Sequence, residues 1–159
     1  MSRVVVSDAT PLNYLVLIDA VGVLPRLYSS VLIPPAVAAE LSSPKAPAAV
    51  AALVRNPPSW LEVRAPGRVD YSLGLDAGET EAIALAAELG IEAVLMDERK
   101  GRKQARQKGL TPVGTLTILE QAAENGWIDF EENVSRLRET TFRVHPQLIQ
   151  EAKERLRAK

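Results

Sequence analysis

Short apolar runs alternating with helix-forming segments constrain this chain more than any other feature. Residues 3–7, 30–34, 60–66, 92–97 and 111–114 read as strands, and helical signals fill most of the sequence between them. Two of the runs are followed at once by an acid and then a helix start: "VVVSDATPLNYL" at 4–15 and "AVLMDER" at 93–99. Such strands lack the clean polar alternation of a sheet with one wet face, so they want cover on both sides. Parallel strands cannot be joined by tight turns and need a crossover, usually a helix. The alternation therefore predicts an α/β fold: three layers, α/β/α, with a short, mostly parallel sheet flanked by helices. The 159 residues suit a single domain over 1–159, with 128–159 as a C-terminal helical extension of it.

The helices carry ordinary start and stop signals. Pro34 and Pro35 open "PPAVAAEL" (34–41), where proline is tolerated in the first turn. "AGETEAIALAAELG" (77–90) is rich in alanine, leucine and glutamate and is stopped by Gly90. "ERKGRKQARQKG" (98–109) reads as a basic helix, and 115–126, 129–140 and 146–159 as three more.

Composition removes several classes of function. The chain is 47% apolar and 25% charged, with a net charge of −1, so global charge does not point to nucleic acid, although a local patch still could. There is no cysteine, which excludes thiolate metal sites and disulfides and fits a cytoplasmic setting. No signal-peptide pattern and no run long enough for a membrane helix is expected. The lone histidine, His145, lies near the C-terminus, and no nucleophile elbow accompanies it. Neither a G-x-G-x-x-G nor a P-loop motif is present. Carboxylates, amides and hydroxyls remain as metal ligands, and these suit Mg²⁺ or Mn²⁺.

Four acids stand out. Asp8 and Asp97 each follow a strand, and in a parallel sheet both project from the same edge, where open α/β sheets place their sites. Each could equally cap the helix that follows. Glu40 lies beside the apolar Val37–Leu41 stripe of its helix, where a merely solvated edge is the competing reading. Glu79, in the first turn of its helix, also reads as the partner of Asp76 in a capping box.

Together these acids resemble the pattern of PIN-domain ribonucleases, in particular the prokaryotic branch that includes toxins of toxin–antitoxin pairs. The resemblance spans roughly residues 3–127 and is carried by "VVVSDATPLNYL", "VLIPPAVAAEL", "LDAGETEAIALAAELGIEAVLMDERKGRKQARQKGL" and "PVGTLTILEQA". It implies a metal-dependent endoribonuclease acting on single-stranded RNA, with Asp8, Glu40, Glu79 and Asp97 as catalytic acids and Mg²⁺ or Mn²⁺ held by Asp8, Asp97 and Glu79. Thr10, two places after Asp8, matches the family's small hydroxyl. Glu79 keeps better register with Gly90 and Asp97 than Glu81 does. Glu98 stands where relatives often carry a second Asp, which leaves the outer metal shell open. A homodimer and an antitoxin partner are further expectations of the resemblance.

The chemistry suits those residues. Phosphodiester hydrolysis builds charge on phosphate oxygens, and divalent ions lower the pKa of bound water and stabilise attacking and leaving oxygens. Without an ion the acids repel one another, by about 4 kcal/mol for two carboxylates 4 Å apart at an effective dielectric near 20. Stabilisation by metal and a raised pKa in at least one acid are therefore expected. Arg99, Arg102, Lys103 and Arg106, next to Asp97, could hold phosphates, or could form an ordinary solvated face. Two other readings compete. A phosphoryl-transfer enzyme of the haloacid-dehalogenase type would want an Asp where Thr10 stands. A non-catalytic PIN-like protein-binding module would keep the fold without the reaction.

Overall fold

The computed structural model describes residues 3–159; the first two residues of the expected 1–159 span lie outside it. Five strands form one sheet: β1 (Val4–Ser7), β2 (Ser30–Ile33), β3 (Leu61–Val63), β4 (Ala93–Leu95) and β5 (Thr111–Val113), in the order β3-β2-β1-β4-β5. Every pairing is parallel, so the sheet is wholly rather than mostly parallel. The strand expected over 60–66 shortens to Leu61–Val63 at the edge of the sheet, with Glu62 and Val63 exposed. An edge strand has a partner on one side only, and here Arg64 N–H makes the last bond, to Ile33 O at 2.9 Å.

Strand alternation builds the layers. Val5, Val31, Ile33 and Leu95 face one apolar cluster, and Val6, Leu32, Val94 and Met96 face the other. The first cluster is covered by α1 (Ala9–Leu17), α2 (Leu24–Leu27), α4 (Ala48–Arg55) and α7 (Thr115–Glu124), through residues such as Leu12, Leu24, Val50 and Ile118. The second is covered by α5 (Ala77–Leu89) and α6 (Arg99–Gln107), through Ile83, Leu85 and Ala105. Between them, α3 (Pro35–Leu41) packs against α5. Two final helices, α8 (Phe130–Arg138) and α9 (Pro146–Arg157), bury Phe130, Leu137, Ile149 and Ala152 in the first cluster. Among the described residues no helix is long and apolar enough to cross a membrane.

The chain runs outward from β1 through β2 to β3, then returns to place β4 on the other side of β1. The sheet's topological switch point therefore lies between β1 and β4, where open α/β sheets form a crevice outside the strands' carboxyl ends. The register aligns Ser7 with Leu95, and the Asp8 N–H donates to Leu95 O at 2.9 Å. Asp8 and Asp97 leave the sheet side by side at that crevice.

Candidate active site

Asp8 occupies the N-cap position of α1, but its side chain accepts no capping hydrogen bond. It is 5% exposed. A buried carboxylate without a capping bond is costly, and the cost appears in its titration. Burial pushes the Asp8 carboxyl up to about 7; the Ala9 amide opposes the rise, while the charges of Asp76, Glu40 and Asp97 add to it.

Glu79 is likewise 5% exposed. The capping box is present: Asp76 Oδ1 accepts from the Glu79 N–H at 2.8 Å, and Glu79 Oε1 accepts from the Asp76 N–H at 3.3 Å. The box engages only one Glu79 oxygen. Glu79 Oε2 is buried and has no hydrogen-bond partner. Burial, then the Asp76 and Asp8 charges, raises the Glu79 carboxyl to about 8. Capping and a role in the acid cluster coexist in this side chain, one oxygen serving each.

Asp97 does not cap its own helix. Glu98 does so, accepting from the Gly101 N–H at 2.9 Å. Asp97 instead reaches across to the start of α7. Thr115 N–H donates to Oδ1 at 2.8 Å and Thr115 Oγ1 donates to Oδ2 at 2.6 Å. The Asp97 pKa is still raised: burial outweighs the Thr115 hydrogen bonds and the Arg102 charge that lower it. An ionised carboxylate has about four lone-pair sites, so two hydrogen bonds leave acceptor capacity toward the crevice.

Glu40 is exposed, yet burial of its carboxyl group and the Asp76 charge raise its pKa. It shares a cleft with Thr10, Asn13 and Lys45. Its helix is held in place by Glu81, whose Oε1 accepts from the Ala36 N–H at 2.9 Å while Oε2 accepts from Tyr71 Oη at 2.8 Å. Glu81, the competitor of Glu79 in the sequence, thus has both oxygens engaged in holding loop and helix together. Asp76 is the acid missing from the sequence-derived set. Its charge acts on Asp8, Glu40 and Glu79, and it stood out in the sequence only as a helix cap.

Close backbone approach makes this crowding feasible. A Cβ on Gly101 would lie 2.7 Å from Glu79 Oε2 and 2.6 Å from Met96 Sδ, so the glycine lets α6 lie over the acid. A Cβ on Gly78 would lie 3.3 Å from Asp8 Oδ1 and 3.6 Å from Asp76 Oδ1. Gly101→Ala gains up to about 1 kcal/mol of helix propensity. Against that, overpacking costs about 1–3 kcal/mol, and the fully buried Met96 has little room to yield. A net loss near 1 kcal/mol and a lower melting temperature are expected; an unchanged or higher melting temperature would contradict this packing.

The basic helix divides. Arg102 is half-buried, donates from Nη1 to Met96 O at 3.0 Å, and lines a cavity with Thr10 and Asp97. Arg99, Lys103 and Arg106 are exposed and do not line that cavity.

The family model for the PIN domain matches residues 4–158. The chain belongs to the PIN-domain family. PIN domains are generally nucleases, and the family generally uses divalent metal ions. Among solved structures, this PIN domain is similar to a PilT N-terminus domain protein from the hyperthermophilic archaeon Sulfolobus solfataricus. The two are 16% identical with a TM-score of 0.53, over 90% of this chain and 100% of that one. At that identity the likeness speaks for the fold alone. Among curated proteins, none matches the chain.

Proposed function

We propose that this PIN domain is a metal-dependent ribonuclease that hydrolyses phosphodiester bonds of single-stranded RNA. The carrying observation is Glu79 Oε2: a buried carboxylate oxygen without a partner, in a side chain whose pKa is raised first by burial and then by the Asp76 and Asp8 charges. Such a group is stabilised by a cation, and a donor set made only of carboxylate oxygens fits Mg²⁺ or Mn²⁺. Asp8, Glu79 and Asp97 would hold the metal. Among the described residues, no three such acids are gathered into a ready-made metal site. Mg²⁺ keeps several waters and is bound through one or two carboxylates, so one or two of these acids would ligate it directly and the rest through its waters. When bound, it would lower the pKa of water and offset charge on the phosphate.

The chain's own groups have separate tasks in this reading. Asp97, fixed by Thr115, presents a carboxylate of defined orientation. Glu40, exposed at the rim, is positioned to orient water. Thr10, on the ridge between the Glu40 cleft and the Asp97 cavity, offers a hydroxyl to the substrate phosphate. Arg102 supplies positive charge beside Asp97.

The test is cleavage of labelled single-stranded RNA by wild type and Asp97→Asn, in Mg²⁺, in Mn²⁺ and in EDTA. Metal-dependent cutting by wild type, lost in EDTA and in the variant, is expected. A wild type that neither cuts nor gains melting temperature with metal would reject the nuclease reading in favour of a non-catalytic binding module.

A further inference from the structure

The C-terminal segment brings a second chemistry to the same edge of the sheet. Phe142, Arg143 and Val144, between α8 and α9, join Leu148 of α9 as one wall of a cavity of about 500 Å³. Thr10, Asp97 and Arg102 line it from the other side, so it is continuous with the acid crevice. The wall is fastened to α1: Tyr14 Oη lies 2.7 Å from Thr141 Oγ1, and the Tyr14 ring packs edge-on against Phe142 at 5.0 Å. Behind it, Ile149 and Ala152 anchor α9 in the core.

Two features of this wall stay open to solvent. Leu148 is 51% exposed although its neighbour Ile149 is buried. Arg143 is exposed, and among the described residues it has no hydrogen-bond or ion-pair partner. The cavity's other charges are already engaged. Arg155 donates Nε and Nη2 to Glu120 at 2.8 and 2.7 Å, and Glu98 caps α6. An apolar shelf beside an unpaired guanidinium, opening onto carboxylates, complements a group with a flat apolar face and an anionic link on either side. A nucleotide in a single strand has that form, and the cavity volume lies in the range that encloses a ligand of that size.

We propose that this cavity is a one-nucleotide subsite of single-stranded RNA: the base rests against Phe142 and Leu148, and the adjoining phosphate is held by Arg143. The subsite rests on the nuclease reading above. It makes α9 and the segment before it part of the substrate groove as well as of the core. A base inside a duplex is paired and stacked and cannot enter, so the subsite selects unpaired RNA.

The test compares cleavage kinetics of wild type, Arg143→Ala and Leu148→Ser on a short single-stranded RNA in Mg²⁺. Both positions are exposed, so melting temperatures should match wild type. Arg143→Ala is expected to raise KM about tenfold, more than it lowers kcat, and to flatten the salt dependence of log(kcat/KM) by about 0.7, the increment for one phosphate contact on a single strand. Leu148→Ser is expected to raise KM severalfold with the salt slope kept, since a base contact carries no counterion. An active wild type whose KM is unmoved in both variants overturns the subsite, with the nuclease reading intact. A wild type that neither binds nor cuts RNA overturns both.

Discussion

Asp8→Asn is expected to slow RNA cleavage by about 10²–10³ while raising the melting temperature of the metal-free protein at about pH 8. The two effects have one cause. Asp8 is 5% exposed, accepts no capping bond, and lies within the fields of Asp76, Glu40 and Asp97. Its carboxyl is raised from 3.8 to about 7, so above that pH the folded protein carries a charge it disfavours. One pKa unit is about 1.4 kcal/mol, so removing the charge returns at most roughly 4 kcal/mol. A gain of even 1 kcal/mol shifts the melting temperature by roughly 2–4 °C for a chain of this size. Asparagine preserves shape and removes the repulsion, but it also removes an anionic metal ligand. Loss of one preorganised charge-stabilising group lowers kcat by about 10²–10³, and the metal-induced rise in melting temperature should shrink with it. Thermal melts in EDTA and in Mg²⁺, beside single-turnover cleavage, check both arms. An Asn variant less stable than wild type in EDTA, with cleavage retained, would make Asp8 a structural residue.

The sheet was legible because its strands announce themselves twice, as apolar runs and as runs bounded by helix starts. Val4–Ser7 and Ala93–Leu95 were readable for that reason, and so was the common edge of Asp8 and Asp97. The full parallel register was not, because strand order depends on which helices pack where, and no local pattern carries that. The acids divide on the same ground. The Asp76–Glu79 capping box was readable from spacing, but a local pattern cannot tell that Glu79 Oε2 ends up buried without a partner. Asp76 was hidden by its own cap. Asp97 and Thr115 are close only after the chain has passed through β5, so their hydrogen bonds had no local signature, although Thr115 lay within a recognised stretch. The C-terminal helices were readable, yet only the fold separates buried Leu137 and Ile149 from the exposed Leu148.

The metal-free protein should lose stability as pH rises from about 5 to about 8.5, the reverse of the usual behaviour of salt-bridged carboxylates. The direction follows from proton counting. Asp8 and Glu79 titrate at about 7 and about 8 in the folded protein, against model values of 3.8 and 4.5. Between the two sets of values the folded state holds more protons than the unfolded state, so stability falls with pH across that window. Well below the model values of 3.8 and 4.5 both states are protonated at these groups and they impose no penalty; the penalty is complete only once the pH has passed the folded-state values of about 7 and about 8. Glu40 and Asp97, also raised, add in the same direction. The Asp8 and Glu79 contributions do not simply sum, because the Asp8 charge is itself one of the causes that raise Glu79. A divalent cation supplies the missing positive charge and competes with that proton, so its stabilising effect should grow with pH through the same window. Melting curves in EDTA and in Mg²⁺ across this range check the claim. A melting temperature in EDTA that stays flat or rises toward pH 8.5 would mean that these acids do not share a buried, uncompensated charge, and the case for a metal at the β1–β4 crevice would fall with it.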